Sequence, residues 1–389
     1  MSKLAAIHGI SKPNTSNVQA IAKVSILALS VIFSSASYAA VYKCTSGKIV
    51  GYSQTPIKGL TCSLVGETAV TKPVAQAEAS PPALQTDKVF SSTSFWYKPI
   101  PADVKLHPNS NNLVKEFVRQ RNQYYNTVTI NTSSYASPVY TAASDVKKVK
   151  VDFYNCQKKT WVDPVFLAMM SSVPIPTYAL PATGTDGEMT IYDPKSSIIW
   201  EMWKARKDAN GGWSACWGGK LENASSSQGI FKQYYGTTAT GLPFIGGQIT
   251  AEELERREIK HVMGISLVDL ASWKIISWSA NRSDGYNPNN LPNRIAEGQR
   301  FRLDPSVNVD KLPLSKAGKV IAKAAQKYGF VVWDKAGAVS LRAQNPTSYT
   351  ALGKANPYPA LFENKPNYAL LNGIPWDRLQ FLPMDYGKY

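Results

Sequence analysis

Glycine and proline punctuate this chain so often, 25 of each among 389 residues, that a long helical apolar pattern has little room to develop. That excludes an all-helical bundle and favours many short strands joined by turns. Hydrophobic residues at 44%, aromatics at 11% and charged residues at only 18% exclude disorder for the bulk of the chain. β-like runs fall at residues 127–130, 139–142, 149–156, 188–193, 197–206, 213–221, 261–268, 275–280, 300–303 and 330–333, the last continuing into 339–342. One helix precedes them and two interrupt them. Residues 109–122 carry Leu113, Phe117 and Val118 at helical spacing. Thr250 and Glu253 form a capping box opening a helix over 252–259, and 315–328 places Val320, Ile321, Ala324 and Tyr328 on one side before stopping at Gly329. The expected class is mainly β with a few helices (α+β), with a β-sandwich or jelly-roll main domain.

The first 39 residues hold Lys3, Lys12 and Lys23 and no acid, and residues 24–33 (VSILALSVIF) are an uninterrupted apolar run. Ser37 and Ala39 then occupy the small-residue positions of a signal-peptidase site, so cleavage is expected after Ala39. Ten apolar residues are too few to span a bilayer core comfortably, and no second run of spanning length follows. No cysteine directly follows the small residues, so lipidation is not indicated. The expected location is the periplasm or the medium. Loss of the three lysines takes the formal charge from +16 to +13. Such a chain can meet anionic glycans, lipopolysaccharide or nucleic acid. The densest cluster, Lys147-Lys148-Val149-Lys150, reads as a solvated strand edge, so nucleic acid is not the expected partner.

All four cysteines follow the cleavage point, and an even count in an exported chain implies disulfides. Chain order favours Cys44 with Cys62 and Cys156 with Cys216. There is no C-x-x-C, and only His107 and His261 survive processing, so neither a metal nor a cofactor is expected. The organisation is then a signal peptide (1–39), a small disulfide-linked β-hairpin module (40–65), an Ala/Pro/Ser-rich tether (66–92) and a β-rich main domain (93–389).

Two resemblances accompany this reading. Tyr42-Lys43, the 47–53 stretch and Pro56 resemble a short periplasmic module of Gram-negative bacteria. Residues 93–389 are similar to a family of exported bacterial proteins in an ordered series of motifs. These are Pro174-Ile175-Pro176, Asp186-Gly187, Asp193-Pro194, Glu201-Met202-Trp203, Gly241-Leu242-Pro243 with Gly246-Gly247, Ile259-Lys260-His261 and Tyr328-Gly329. The resemblance implies export and brings no reaction with it.

The motifs G-x-S-x-G, G-x-x-x-x-G-K-[ST] and H-E-x-x-H are missing, which removes those nucleophile, nucleotide and metalloprotease classes. Strand alternation puts Glu201 on one face with Ile199 and Trp203, where burial would raise its pKa. Asp186 precedes the neighbouring strand: either it approaches the same end as Glu201, or it makes an Asx turn and Glu201 faces water. His261 is either a hydrogen-bonded core residue or one looking into a cleft. Gly241, Gly246 and Gly247 would permit close approach of a ligand, and Trp203 would offer it a ring. The expected catalytic set is Glu201, His261 and Asp186, with Gly241, Gly246, Gly247 and Trp203 for binding. The polar loop 283–290 lacks EF-hand spacing and reads as a turn.

The function expected is an exported envelope protein whose main domain binds, or binds and cleaves, a glycan or other anionic envelope polymer. Its alternatives are a non-catalytic envelope interaction protein and a charge-driven binder of nucleic acid or lipopolysaccharide. The purified exported protein should begin at Ala40 and contain no free thiol. N-terminal sequencing and thiol titration of unreduced, unfolded protein check both, and two free cysteines would sink the pairing.

Overall fold

The computed structural model describes residues 38–46, 49–53, 61–69 and 88–388. The leader up to Ser37, Pro56 and most of the expected tether lie outside the described residues. The chain divides into two units after Glu78.

The first unit is a three-stranded sheet of β1 (Tyr38–Ser46), β2 (Ile49–Ser53) and β3 (Thr61–Ala69) in the order β2-β1-β3. Both pairings are antiparallel. Strand β3 reaches Ala69, so the module extends past the expected boundary at 65. Cys44 stands directly opposite Cys62 in the β1–β3 register. Directly opposed antiparallel residues have Cα atoms about 4.5–5.5 Å apart, within disulfide range.

The second unit contains β4 (Thr129–Asn131), β5 (Val139–Thr141), β6 (Val151–Phe153), β7 (Met189–Asp193), β8 (Ile198–Trp203), β9 (Arg206–Lys207), β10 (Trp213–Ala215) and β11 (Trp217–Leu221). It continues with β12 (Met263–Leu267), β13 (Arg300–Leu303), β14 (Phe330–Lys335), β15 (Ser340–Arg342) and β16 (Leu379–Phe381). Helices α1 (Ser110–Gln123), α2 (Pro164–Met169), α3 (Phe244–Gly247), α4 (Ala251–Arg256) and α5 (Lys316–Lys327) are interspersed. The strands form a six-stranded sheet, β16-β13-β14-β12-β15-β4, a four-stranded sheet, β11-β8-β7-β5, and a three-stranded sheet, β6-β10-β9. All three are open and mixed. The class is α+β as expected, but four ladders (β6–β10, β12–β14, β4–β15 and β5–β7) are parallel, unlike the antiparallel double Greek key of a jelly roll.

Strands β12 and β14 lie side by side at the centre and are apolar on both faces, as buried parallel strands must be. Met263, Ile265 and Leu267 join Phe330 and Val332 in a first core with Phe117 of α1 and Ile321 of α5. On the other face, Val331 and Trp333 enter a second core with Ile191, Ile199 and Met202 of the four-stranded sheet and with Phe244. Ser315 caps α5 by accepting from the Gly318 N–H at 3.2 Å, and Gly329 ends it at φ +69°. Among the described residues no helix is long and apolar enough to cross a membrane.

Other expectations shift. Residues 275–280 form no strand and touch their neighbour through the isolated Ile276–Glu297 bridge, with Ile275 and Ile276 exposed. Strand β14 does not run on into β15. The polar turn after it carries the chain across the end of β12, and β15 pairs with β12 instead. Val89 and Phe90, expected in the tether, are buried in the second core.

Trp333 lies flat on Gly264 and donates its indole N–H to Ser266 Oγ at 3.2 Å. A Cβ on Gly264 would fall 2.2 Å from the indole Cδ2. Gly264→Ala should therefore destabilise the protein by about 1–3 kcal/mol through overpacking. Urea denaturation measures it, and an unchanged midpoint would contradict the packing described.

Candidate functional site

A cleft of about 1030 Å³ opens at one end of the second unit's sheets. The four-stranded sheet contributes the approach to β7 (Asp186 and Glu188, just before Met189), the end of β8 (Trp203) and the start of β11 (Trp217). The six-stranded sheet contributes the end of β14 (Asp334, Lys335) and Ser340 and Arg342 of β15. Loops carrying Lys159 and Trp161, Tyr234 to Ala239, and Arg282 to Asp284 complete the walls.

One rim is fixed by the Cys156–Cys216 disulfide. Cys216 sits at the corner where the chain passes from β10 into β11, next to Trp217. Cys156 anchors the loop that brings Lys159 and Trp161 to the cleft. The bridge closes a 60-residue separation, a constraint on the unfolded chain of about 4 kcal/mol in the chain-entropy account. Trp217 stacks on Phe166 at 5.1 Å and on Tyr235 at 5.7 Å, and Lys159 Nζ lies 4.3 Å from its ring centroid. Trp161 is 57% exposed and Tyr234 is exposed beside it in the same lining.

The floor is charged. Arg342 donates from Nη2 to Asp334 Oδ2 at 2.7 Å, and its guanidinium lies 4.9 Å from the Phe244 centroid. Its Nη1 is buried with no protein partner. Asp334 also accepts from the Ala239 N–H at 3.3 Å, which ties the 237–239 loop to β14. Glu188 is 4% exposed, and its Oε2 has no partner either. Burial pushes the Glu188 carboxyl well above the ordinary carboxylate range, with Arg342 opposing and Glu201, Asp186 and Asp334 adding to the rise. Arg282 donates to the carbonyls of Tyr235, Gly236 and Thr238, and burial lowers its pKa to about 10. Behind it, buried Glu297 accepts from the Asp284 N–H at 3.0 Å, and burial lifts its carboxyl to about 8.

The residues anticipated from sequence are divided by this geometry. Asp186 and Trp203 do line the cleft, and they meet: the Trp203 indole N–H donates to Asp186 Oδ1 at 3.3 Å. Asp186 orients a ring. Glu201 is fully buried and outside the lining. It accepts from the Phe244 N–H and from Thr237 Oγ1 at 3.0 Å, so it holds a cleft loop from behind. Burial raises its pKa to about 7. His261 lies elsewhere. Its Nε2 is 3.1 Å from Glu253 Oε1, and its Nδ1 is 2.8 Å from the Val262 carbonyl. Burial opposes ionisation of Glu253, but His261 and the Thr250 cap hold that carboxyl below its ordinary value. The histidine completes a helix cap, and the structure does not bring it together with Glu201 and Asp186 at the cleft. Gly241, Gly246 and Gly247 are buried and serve packing instead of ligand approach. A Cβ would meet Asn281 at Gly241, Trp96 at Gly246 and Trp333 at Gly247, each closer than 3 Å.

Glu188 and Arg342 were not anticipated. The signal for Glu188 was present, since it alternates with Thr190 opposite the core residues Met189 and Ile191. Arg342 closes an apolar run and gives no comparable sign. Among the described residues no group of three or more His, Cys, Asp or Glu is arranged to hold a metal ion. No family model, curated protein or solved structure matches the chain.

Glu201 and Glu297 carry protons in the native state at pH values where the unfolded chain has lost them. Unfolding then releases protons, so their contribution to stability falls as pH rises from the ordinary value of 4.5 through about 7 for Glu201 and about 8 for Glu297. Urea midpoints compared at about pH 5 and about pH 8 should show this decline, and Glu297→Gln should shrink it. A difference untouched by that substitution would mean that Glu297 is already ionised.

Proposed function

We propose that this is an exported envelope protein that binds a glycan segment in the cleft. One observation carries the reading: exposed and half-exposed aromatic rings share a concave lining with exposed charged side chains. Sugar rings offer apolar C–H faces to aromatic rings and hydroxyl or carboxylate groups to donors and acceptors at their edges. Trp161, Trp203 and Tyr234 supply the rings, while Lys159, Asp284 and Lys335 supply exposed polar groups and Glu188 a buried carboxyl. The leader and the strongly basic chain favour an anionic envelope polymer over a neutral storage glycan. The motif resemblance to exported bacterial proteins supports the same compartment. We read the architecture as a sandwich of the six- and four-stranded sheets about the second core, backed by helices, with the cleft at its mouth.

Glu188 is then the residue equipped for proton transfer. A buried carboxyl held protonated can serve as general acid at a glycosidic oxygen. Glycan-array binding and polysaccharide degradation by the wild type and Glu188→Gln separate binding from turnover. Binding kept with turnover lost marks an enzyme, and binding without turnover in the wild type marks a lectin-like module.

Trp161→Ala should weaken glycan binding about tenfold, or ~1.4 kcal/mol, and leave the melting temperature unchanged because the ring is exposed. If no glycan binds, and DNA or lipopolysaccharide binds with a steep salt dependence, the charge-driven alternative replaces this reading.

A further inference from the structure

Helix α2, with the sequence PVFLAM, carries no polar side chain, yet most of it lies at the surface. Only Phe166 and the following Met170, four residues apart and so on one side, are buried. Phe166 packs on Phe153 at 6.0 Å and on Trp217 at 5.1 Å. Val165 is 49% exposed and Leu167 39%, and just before the helix Trp161 and Val162 are 57% and 42% exposed. A helix that is apolar all round is ordinarily buried, so four large apolar groups exposed within seven residues mark a face made to be covered.

The segment is fixed in this exposed position. Asp163 caps the helix by accepting from the N–H groups of Val165 at 2.9 Å and Phe166 at 3.3 Å, and the Tyr235 hydroxyl donates to the same carboxylate at 3.0 Å. The Cys156–Cys216 bridge anchors the loop before it. Cations stand on both sides. Lys158 and Lys159 precede the apolar group, and Lys147, Lys148 and Lys150 lie in a stretch that bonds back to the residues after the helix, through the Val149–Val173 bridge and from the Val151 N–H to the Met170 carbonyl at 2.8 Å. Residues 144–173 hold five lysines, all exposed, and three aspartates. Lys150 pairs with Asp152 at 2.6 Å, and Asp163 is buried against its donors. Lys147, Lys148, Lys158 and Lys159 are left facing solvent, with Asp145 the only other acid of the segment.

We propose that this face docks on an anionic lipid membrane, with Val162, Val165 and Leu167 entering the headgroup boundary and the four lysines meeting lipid phosphates. The inference does not depend on what the cleft binds. Size argues for a lipid surface over a protein partner. Six helical residues make a strip about 9 Å long and ~10 Å wide, far short of the ~800 Å² that each partner commonly gives to a stable protein interface. Membrane docking needs only a few apolar groups aided by cations, and a tryptophan at the edge of such a group suits the level of the headgroups. Val162, Val165 and Leu167 stay outside the cleft lining, whereas Lys159 and Trp161 belong to it, so docking sets the cleft rim against the membrane.

The test is a co-sedimentation titration of the full mature protein with vesicles of equal parts phosphatidylglycerol and phosphatidylcholine, set against phosphatidylcholine alone. The anionic vesicles should bind about tenfold more tightly or better, and lose that advantage at high salt. Because the whole chain is basic, the deciding variant changes no charge. Val165→Ser combined with Leu167→Ser should weaken vesicle binding about tenfold at an unchanged melting temperature, since both side chains are exposed. Lys147→Gln combined with Lys148→Gln should weaken it by about as much. No binding to the anionic vesicles, equal binding to both compositions, or binding that survives either pair of substitutions overturns the proposal. Self-association that the serine pair abolishes, in protein that ignores vesicles, overturns it in favour of a second copy of the chain on this face.

Discussion

The parallel pair β12–β14 must bury both of its faces, and much of the second unit follows from that requirement. One face takes the helices and the phenylalanines of the first core. The other has to receive an indole, and Gly264 makes room for Trp333 where any side chain would collide with it. With Trp333 seated, Val331 and Phe244 close around it and the four-stranded sheet is held in the same core. The strand ends are thereby fixed at a common edge, and the cleft is the space between them.

The first residue beyond that indole is already charged. Asp334 follows Trp333 directly, binds the 237–239 loop, and receives Arg342 from the strand on the far side of β12. Arg342 in turn lies over Phe244 and Trp333, so the cation at the cleft floor rests on the same rings that fill the core. Glu201 supports the floor from below through Phe244 and Thr237. This coupling explains how a cleft with two unpartnered polar atoms can persist: the cost of those atoms is offset by packing that forms whether or not a ligand is present.

Local signals in the sequence were read well where local chemistry decides. The Thr250–Glu253 capping box, the stop at Gly329 and most of the short strands appear close to where periodicity and turn residues put them. Chain order was enough to pair Cys156 with Cys216. Alternation put Glu201 on a face with Ile199 and Trp203 but left it between core and solvent, and the partner that determines its role, the Phe244 N–H, is 43 residues away. His261 was legible as polar in an apolar context, whereas its tie to Glu253 depends on how α4 folds back. The glycines at 241–247 looked like a ligand loop because a glycine required by a neighbouring ring and one required by a ligand look alike in sequence. Strand pairing was the least legible feature. Parallel ladders join residues far apart in the chain, and nothing near Ser340 announces that β15 will add to β12.

A crystal structure of the protein with a bound envelope-glycan oligosaccharide tests the central claim most directly. The account predicts a sugar ring in the cleft against Trp161 or Trp203. A saccharide bound away from this cleft, or one that lies in it without touching either ring, would contradict it.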